Sequence, residues 1–237
     1  AKYHDYDSEI SDLLGECGMT SCLATFPAVQ CYADGLKIMV LGDSMMASHR
    51  TSGRAISDTL AIALGADVTD RSVYGARYNF GVPGGGQMGT NISKQYRNGK
   101  WDWVVINGGG NDLLFGCGCF ECGSTIDRLI SADGRSGKIP DLVKRILTNG
   151  GRALYVGYLH SPGVPSIVDD CKDEDLELEG RIRQLAKELN GFVYLPLMSI
   201  VPNGDRTYHG FDMVHPSVKA SGIIGQLIAN EIRSGAS

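Results

Sequence analysis

The chain has 237 residues, 43% of them hydrophobic and 21% charged, with a formal net charge of −5. That length fits one α/β domain and leaves little room for two. No apolar stretch is long enough for a membrane span, and without a Lys/Arg cluster the acidic balance argues against nucleic acid or an anionic membrane surface as a partner.

In chain order, residues 1–35 carry one short helical pattern at "SEISDLLGEC" and read as a Cys-containing N-terminal extension packed on a main domain of residues 36–237. "LKIMVLG" reads as a strand that breaks at Gly-Asp-Ser. "HRTSGRAISDTLAIALG" places Ile56, Leu60, Ile62 and Leu64 along one helical stripe and stops at Gly65. "ADVTDRSV" is a short strand and "WDWVVINGGG" the clearest buried one. "IPDLVKRILTNGG" is a helix, "RALYVGYL" a strand, "EDLELEGRIRQLAKELNG" a helix, "FVYLPL" a strand and "KASGIIGQLIANEIRSG" the last helix. Strands that are apolar on both faces, alternating with helices, predict a flavodoxin-like three-layer α/β/α sandwich around a mostly parallel sheet of about five strands. Ligands of such sheets lie beyond the C-terminal strand ends. The irregular segments 76–100 and 115–138 follow strand ends and are expected to wall or cover a site there.

Seven cysteines stand at 17, 22, 31, 117, 119, 122 and 171. Their clustering on loop-like, Gly-rich segments points to about three disulfides with one thiol left over, the pairing open, and to an oxidising compartment. The rival is a zinc site on "CGCFEC" plus Cys171, but a structural zinc site usually shows a second spaced pair. The chain begins at Ala1 with no Met and no basic-then-apolar leader, which reads as trimming or as removal of a secretory signal. A secreted or periplasmic location is the expectation.

Three segments carry chemistry. In "LGDSMM", Ser44 is either a nucleophile or the residue that caps the helix beginning there. In "VINGGGNDLL", Asn111 follows a buried strand, where its amide can donate to a developing oxyanion or simply close a turn. In "GFDMVHPS", Asp212 precedes His215 by three residues, and a turn there sets a carboxylate under an imidazole. Of the other histidines, His4 lies in the extension, His49 is expected on the helix turn after Ser44 and facing solvent, His160 ends a strand where it could line the pocket, and His209 sits in "TYHG".

Together these segments resemble the SGNH/GDSL hydrolase family. "LGDSMM", "GGGND" and "DMVHP" match its first, third and last blocks, in order. Its second block, a Gly after the second strand, aligns best on "VTDRSVYGAR" and nominates Gly75, with Gly84, Gly85 and Gly86 of "FGVPGGGQMG" as competitors. The family's usual Asn there is Asp70 here, which puts the oxyanion Gly in question. The resemblance covers residues 36–233. It implies Ser44 as nucleophile, His215 as general base, Asp212 orienting it, and an oxyanion hole from the Ser44 and Gly75 N–H groups and the Asn111 side chain. The positive end of the helix after Ser44 would add to that hole. Asp43 reads as structural, holding the loop.

The expected activity is hydrolysis of carboxylic esters, acyl or acetyl, with small-molecule or carbohydrate esters as substrates. The chemistry needs no cofactor and no metal. An acyltransferase acting on a polysaccharide and a non-catalytic binding domain of the same fold are the alternatives. Sequence leaves the oligomeric state and the acyl chain length open. "GGGQMG" matches a dinucleotide fingerprint only formally, because no acidic residue follows at the ribose distance. The acidic run "DDCKDEDLELE" lacks the spacing of a calcium loop and reads as a solvated helix start. "NIS" at Asn91 is a glycosylation sequon.

Overall fold

The computed structural model describes residues 35–79 and 89–235. The extension expected over residues 1–35 thus falls almost wholly outside the described residues, as do Cys17, Cys22, Cys31, His4 and Gly84–Gly86. Five strands are described: β1 (Lys37–Leu41), β2 (Asp67–Asp70), β3 (Trp103–Ile106), β4 (Arg152–Val156) and β5 (Phe192–Leu195). They form one sheet in the order β2-β1-β3-β4-β5, and every pair is parallel. The helices are α1 (Ser44–Ala47), α2 (Ile56–Leu64), α3 (Ile92–Gln95), α4 (Gly110–Gly116), α5 (Gly123–Leu129), α6 (Lys138–Thr148), α7 (Lys172–Glu188) and α8 (Val218–Gly235).

Strand alternation sends successive side chains to opposite faces. Ile38 and Val40 of β1 join Val105, Leu154 and Val156 against Ile56, Leu60 and Leu64 of α2 and Ile224, Ile228 and Ile232 of α8. Met39 and Leu41 join Val104, Ile106 and Tyr155 against Leu142, Val143 and Ile146 of α6 and Leu178, Ile182 and Leu185 of α7. The result is the expected three-layer α/β/α arrangement, and burial on both faces is why β3 reads as an unbroken apolar run.

On one side the layers come unusually close. A Cβ on Gly225 of α8 would stand 2.6 Å from Thr59 Cβ and 2.8 Å from the Ile56 carbonyl, so a side chain there would push α2 off α8.

Two local expectations are corrected. The helix read across residues 49–65 is shorter: Arg50–Ser52 form a 3-10 turn, and α2 begins only at Ile56, where the Asp58 carboxylate accepts the Ala55 N–H at 2.7 Å. Ile62 is not on the buried stripe but 83% exposed. The 56–60–64 repeat keeps one face, whereas 62 is turned about 200° from Leu60.

The order of the strands reverses direction between β1 and β3, which makes their C-terminal ends the switch point of the sheet. Ser44 follows β1 and Asn111 follows β3.

Candidate active site

Gly42 leaves β1 at φ +154°, and a Cβ there would stand 2.9 Å from Met46 Cγ and 3.2 Å from the Asn107 carbonyl, so the turn into Asp43 excludes larger residues. Gln95 of α3 grips both backbone groups of Gly42, accepting its N–H at 2.7 Å and donating to its carbonyl at 2.8 Å. The helix cap is Asp43, not Ser44: its Oδ1 accepts the Met45 N–H at 3.0 Å. Ser44 is therefore released from capping and stands at the first helical position, half-buried and facing a cavity. α1 is a single turn, so the dipole expected behind Ser44 is confined to four residues.

Asp43 is 2% exposed. Burial raises its pKa, against the hydrogen bonds from Tyr158 and Met45. The Tyr158 hydroxyl donates to Asp43 Oδ2 at 2.5 Å and accepts the Gly110 N–H at 3.0 Å, tying the β1, β3 and β4 ends together. The structural reading of Asp43 fits these contacts.

Asn111 also lines the cavity. Its Nδ2 donates to the Ala76 carbonyl at 3.2 Å and reaches Asp43 Oδ2 at 3.5 Å. The second contact lies beyond ordinary hydrogen-bond length, so that N–H is weakly held. Its neighbour Asp112 turns inward and accepts the Tyr78 and Asn79 N–H groups at 2.9 and 2.7 Å, which fixes the chain just after Gly75.

Gly75 sits in the turn after β2 at φ +72°. Among the described residues no acceptor takes the N–H of Gly75 or of Ser44. Gly75 does not line the cavity; Tyr74 beside it packs a tilted ring on His215, centroids 5.7 Å apart. Asp70, which stands where the family has Asn, accepts from the Ser57 hydroxyl at 2.6 Å and from the Ser72 N–H and hydroxyl at 2.8 and 2.5 Å. It braces the start of the turn that carries Gly75.

The spacing of Asp212 and His215 has a local cause. Oδ1 of Asp212 accepts the Val214 and His215 N–H groups at 3.0 and 3.1 Å, closing a side-chain turn. That leaves Oδ2 directed at His215 Nδ1, 2.6 Å away. Partial burial of Asp212 opposes its ionisation, but the bonds from His215 and the two N–H groups outweigh it and hold the carboxyl below its ordinary range. His215 lines the same cavity as Ser44 and Asn111, and Asp212 stands behind it.

The histidine expected to face solvent does not. His49 is half-buried, adopts a left-handed conformation at φ 64°, and its Nε2 lies 2.9 Å from the Pro216 carbonyl. It joins the chain after Ser44 to the chain after His215, a contact across 167 positions that no local pattern announces.

The cavity holds about 700 Å³. Its wall was expected from 76–100 and 115–138. Of the described residues in the first segment none lines it, and the second contributes only Phe115. The larger share is the β4–α7 connection, where Leu159, Val164, Pro165, Ile167 and Val168 give an apolar surface and His160 a polar one. A disulfide, Cys119–Cys171, clips the α4–α5 turn to the end of this wall, and Cys117–Cys122 closes the turn itself. All four cysteines proposed as rival zinc ligands are thereby consumed as disulfides.

The acidic run is corrected as well. Asp173 lies exposed at the start of α7 and Glu174 is half-buried, but Asp175 faces the cavity and Glu179 is 1% exposed. Asp175, Leu178, Glu179 and Ile182 follow helical spacing, a signal that places both carboxylates on the buried face.

The sequence model of the GDSL-like Lipase/Acylhydrolase family matches residues 40–222. No curated protein matches. Among solved structures, a carbohydrate acetylesterase family member from Sinorhizobium meliloti superposes with TM-score 0.58 at 15% identity, covering 84% of this chain and 98% of its own. A carbohydrate esterase family 2 enzyme with a carbohydrate-binding domain, from Corynascus thermopiles (Myceliophthora fergusii), gives 0.57 at 18%, covering 90% and 69%. The aryl esterase of M. smegmatis gives 0.54 at 17%, covering 84% and 98%. At these identities the likeness is one of fold.

Proposed function

We propose that this chain, which belongs to the GDSL-like lipase/acylhydrolase family, is a serine esterase that cleaves carboxylic esters through an acyl-enzyme at Ser44. The observation that carries the reading is the 2.6 Å bond from His215 Nδ1 to Asp212, on an imidazole that shares its cavity with Ser44 and Asn111.

In this reading His215 Nε2 takes the Ser44 hydroxyl proton as Oγ attacks the ester carbon. Asp212 fixes the tautomer and offsets the imidazolium charge. The N–H of Ser44 and the weakly held N–H of Asn111, both on the cavity, receive the carbonyl oxygen as it becomes anionic, and the family's pattern adds the Gly75 N–H, which stands outside the cavity lining. His215 then protonates the leaving alcohol, and a water deprotonated by His215 cleaves the acyl-enzyme. No step requires a metal or cofactor. Substrates are small-molecule or carbohydrate esters: solved carbohydrate esterases share the fold, and the cavity offers both apolar and polar wall. The two disulfides favour a secreted or periplasmic setting. The unit of residues 36–237 carries all of this machinery, with residues 1–35 as an appended extension.

Hydrolysis of nitrophenyl esters from acetyl to long acyl, beside a panel of acetylated sugars, tests the reading. Turnover by the wild type that falls at least about 1,000-fold in His215→Ala is expected. A folded wild type inert to the whole panel overturns it.

A further inference from the structure

One polar pair in the cavity has no part in the chemistry above. His160 follows β4, Asp175 stands in the first turn of α7, and both line the cavity that holds Ser44. His160 Nε2 lies 3.6 Å from Asp175 Oδ2, just past hydrogen-bond length. Neither His160 Nε2 nor Asp175 Oδ1 has a hydrogen-bond partner, although both atoms are shielded from solvent. Buried groups of this kind are ordinarily satisfied by a hydrogen-bond partner.

The neighbouring carboxylate of Glu179 has no such unpartnered atom. Glu179 already accepts the Tyr158 N–H at 2.8 Å through Oε1 and the Tyr194 hydroxyl at 2.5 Å through Oε2. The free capacity is therefore one imidazole nitrogen and one carboxylate oxygen, side by side. Asp175 favours the charged imidazolium, so that His160 Nε2 is a donor, while partial burial opposes it. A donor beside an acceptor complements an alcohol, whose hydroxyl accepts through oxygen and donates its proton, and two adjacent hydroxyls satisfy both groups at once. A divalent cation is the competing occupant, since ligand atoms of His160, Asp175 and Glu179 lie within 4.8 Å of one another. It is disfavoured because the Lys172 ammonium lines the same wall and Glu179 is already held by two protein donors.

We propose that His160 and Asp175 form a hydroxyl-binding subsite that recognises the alcohol half of a polyol or sugar ester. The proposal rests on the esterase reading for its meaning, but not for its test. The probes are a mono-O-acetyl methyl xyloside and 4-nitrophenyl acetate, whose alcohol half carries no further hydroxyl. Asp175→Asn and His160→Gln should each raise KM for the xyloside at least about tenfold, with kcat/KM for nitrophenyl acetate within about twofold of wild type. Two variants guard against one that fails to fold, and a thermal melt of each checks folding.

Binding is read separately by calorimetry. Ser44→Ala should bind the acetylated xyloside, and Ser44→Ala/Asp175→Asn about tenfold more weakly. That result upholds the subsite even if the wild type turns over nothing, an outcome that sinks only the esterase reading. The subsite is overturned by equal losses on both esters, by unchanged xyloside KM and binding, or by failure of Ser44→Ala to bind the xyloside. Stoichiometric uptake of Zn²⁺ or Ca²⁺ by the wild type, abolished in Asp175→Asn, overturns it in favour of a cation.

Discussion

Replacing Tyr158 with Phe removes a single hydroxyl that donates to Asp43 at 2.5 Å and accepts from the Gly110 N–H at 3.0 Å. Asp43 is 2% exposed, so it gains no compensating hydration and keeps the Met45 N–H and the long contact from Asn111. A hydrogen bond to a charged group contributes about 1.5–3 kcal/mol, and an orphaned backbone N–H adds about 1 kcal/mol more. Tyr158 itself is only half-buried, and water entering from the cavity offsets part of that loss. The expected cost is about 2–3 kcal/mol, or a fall in Tm of about 4–12 °C for a domain near 200 residues. Because most of this comes from the Asp43 charge, Tyr158→Phe should cost about 1 kcal/mol or less when Asp43 is already Asn. Urea unfolding of the four proteins at pH 7.5 closes the double-mutant cycle. Equal costs in the two backgrounds would refute the reasoning, since the hydroxyl would then not act through the carboxylate.

His49→Ala should lower kcat about three- to tenfold with little change in KM, by releasing the Pro216 carbonyl and the His215 loop; His49→Gln, which keeps an N–H, should recover part of it, and an unchanged kcat counts against the tie. Glu179 is raised from 4.5 to about 6, first by burial and then by the Asp175 charge. An acid so raised binds its proton more tightly folded than unfolded, so its contribution is full below about pH 4.5 and lost as pH rises through about 6. Relative to Glu179→Gln, the wild type should lose about 2 kcal/mol of stability between pH 4 and 7.5, and a constant difference across that range contradicts the assignment. Reduction of Cys119–Cys171, which spans 52 positions, removes a constraint that loop-closure entropy puts near 4 kcal/mol. Activity should fall, as the 158–172 wall loosens, before far-UV circular dichroism changes; full activity after complete reduction speaks against a rigid wall.

The sheet was legible because its information is local: β1 and β3 are short apolar runs whose burial on both faces leaves no polar residue to interrupt them. Asp212 and His215 were legible for the same reason, since their turn is closed within three residues. Ile62 is not legible as exposed because its hydrophobicity matches the stripe while only 56, 60 and 64 share the buried face. Asp43 reads as structural from the sequence, but its role as the cap does not, because Asp and Ser are comparable caps and only the backbone angle at residue 43 separates the two candidates. The β4–α7 wall is not legible in the sequence for a different reason. Its Pro- and Gly-containing run reads as an ordinary connection until Cys119, far away in sequence, fixes its end. Contacts such as His49 to Pro216 and Gln95 to Gly42 depend wholly on that assembled fold.

Covalent labelling of Ser44 by a fluorophosphonate, read by peptide mass spectrometry, tests the central claim most directly. A stoichiometric adduct on the Ser44 peptide is predicted, absent in Ser44→Ala and formed at least about 100-fold more slowly in His215→Ala. A folded protein that takes no label, or takes it on another serine, would contradict the account.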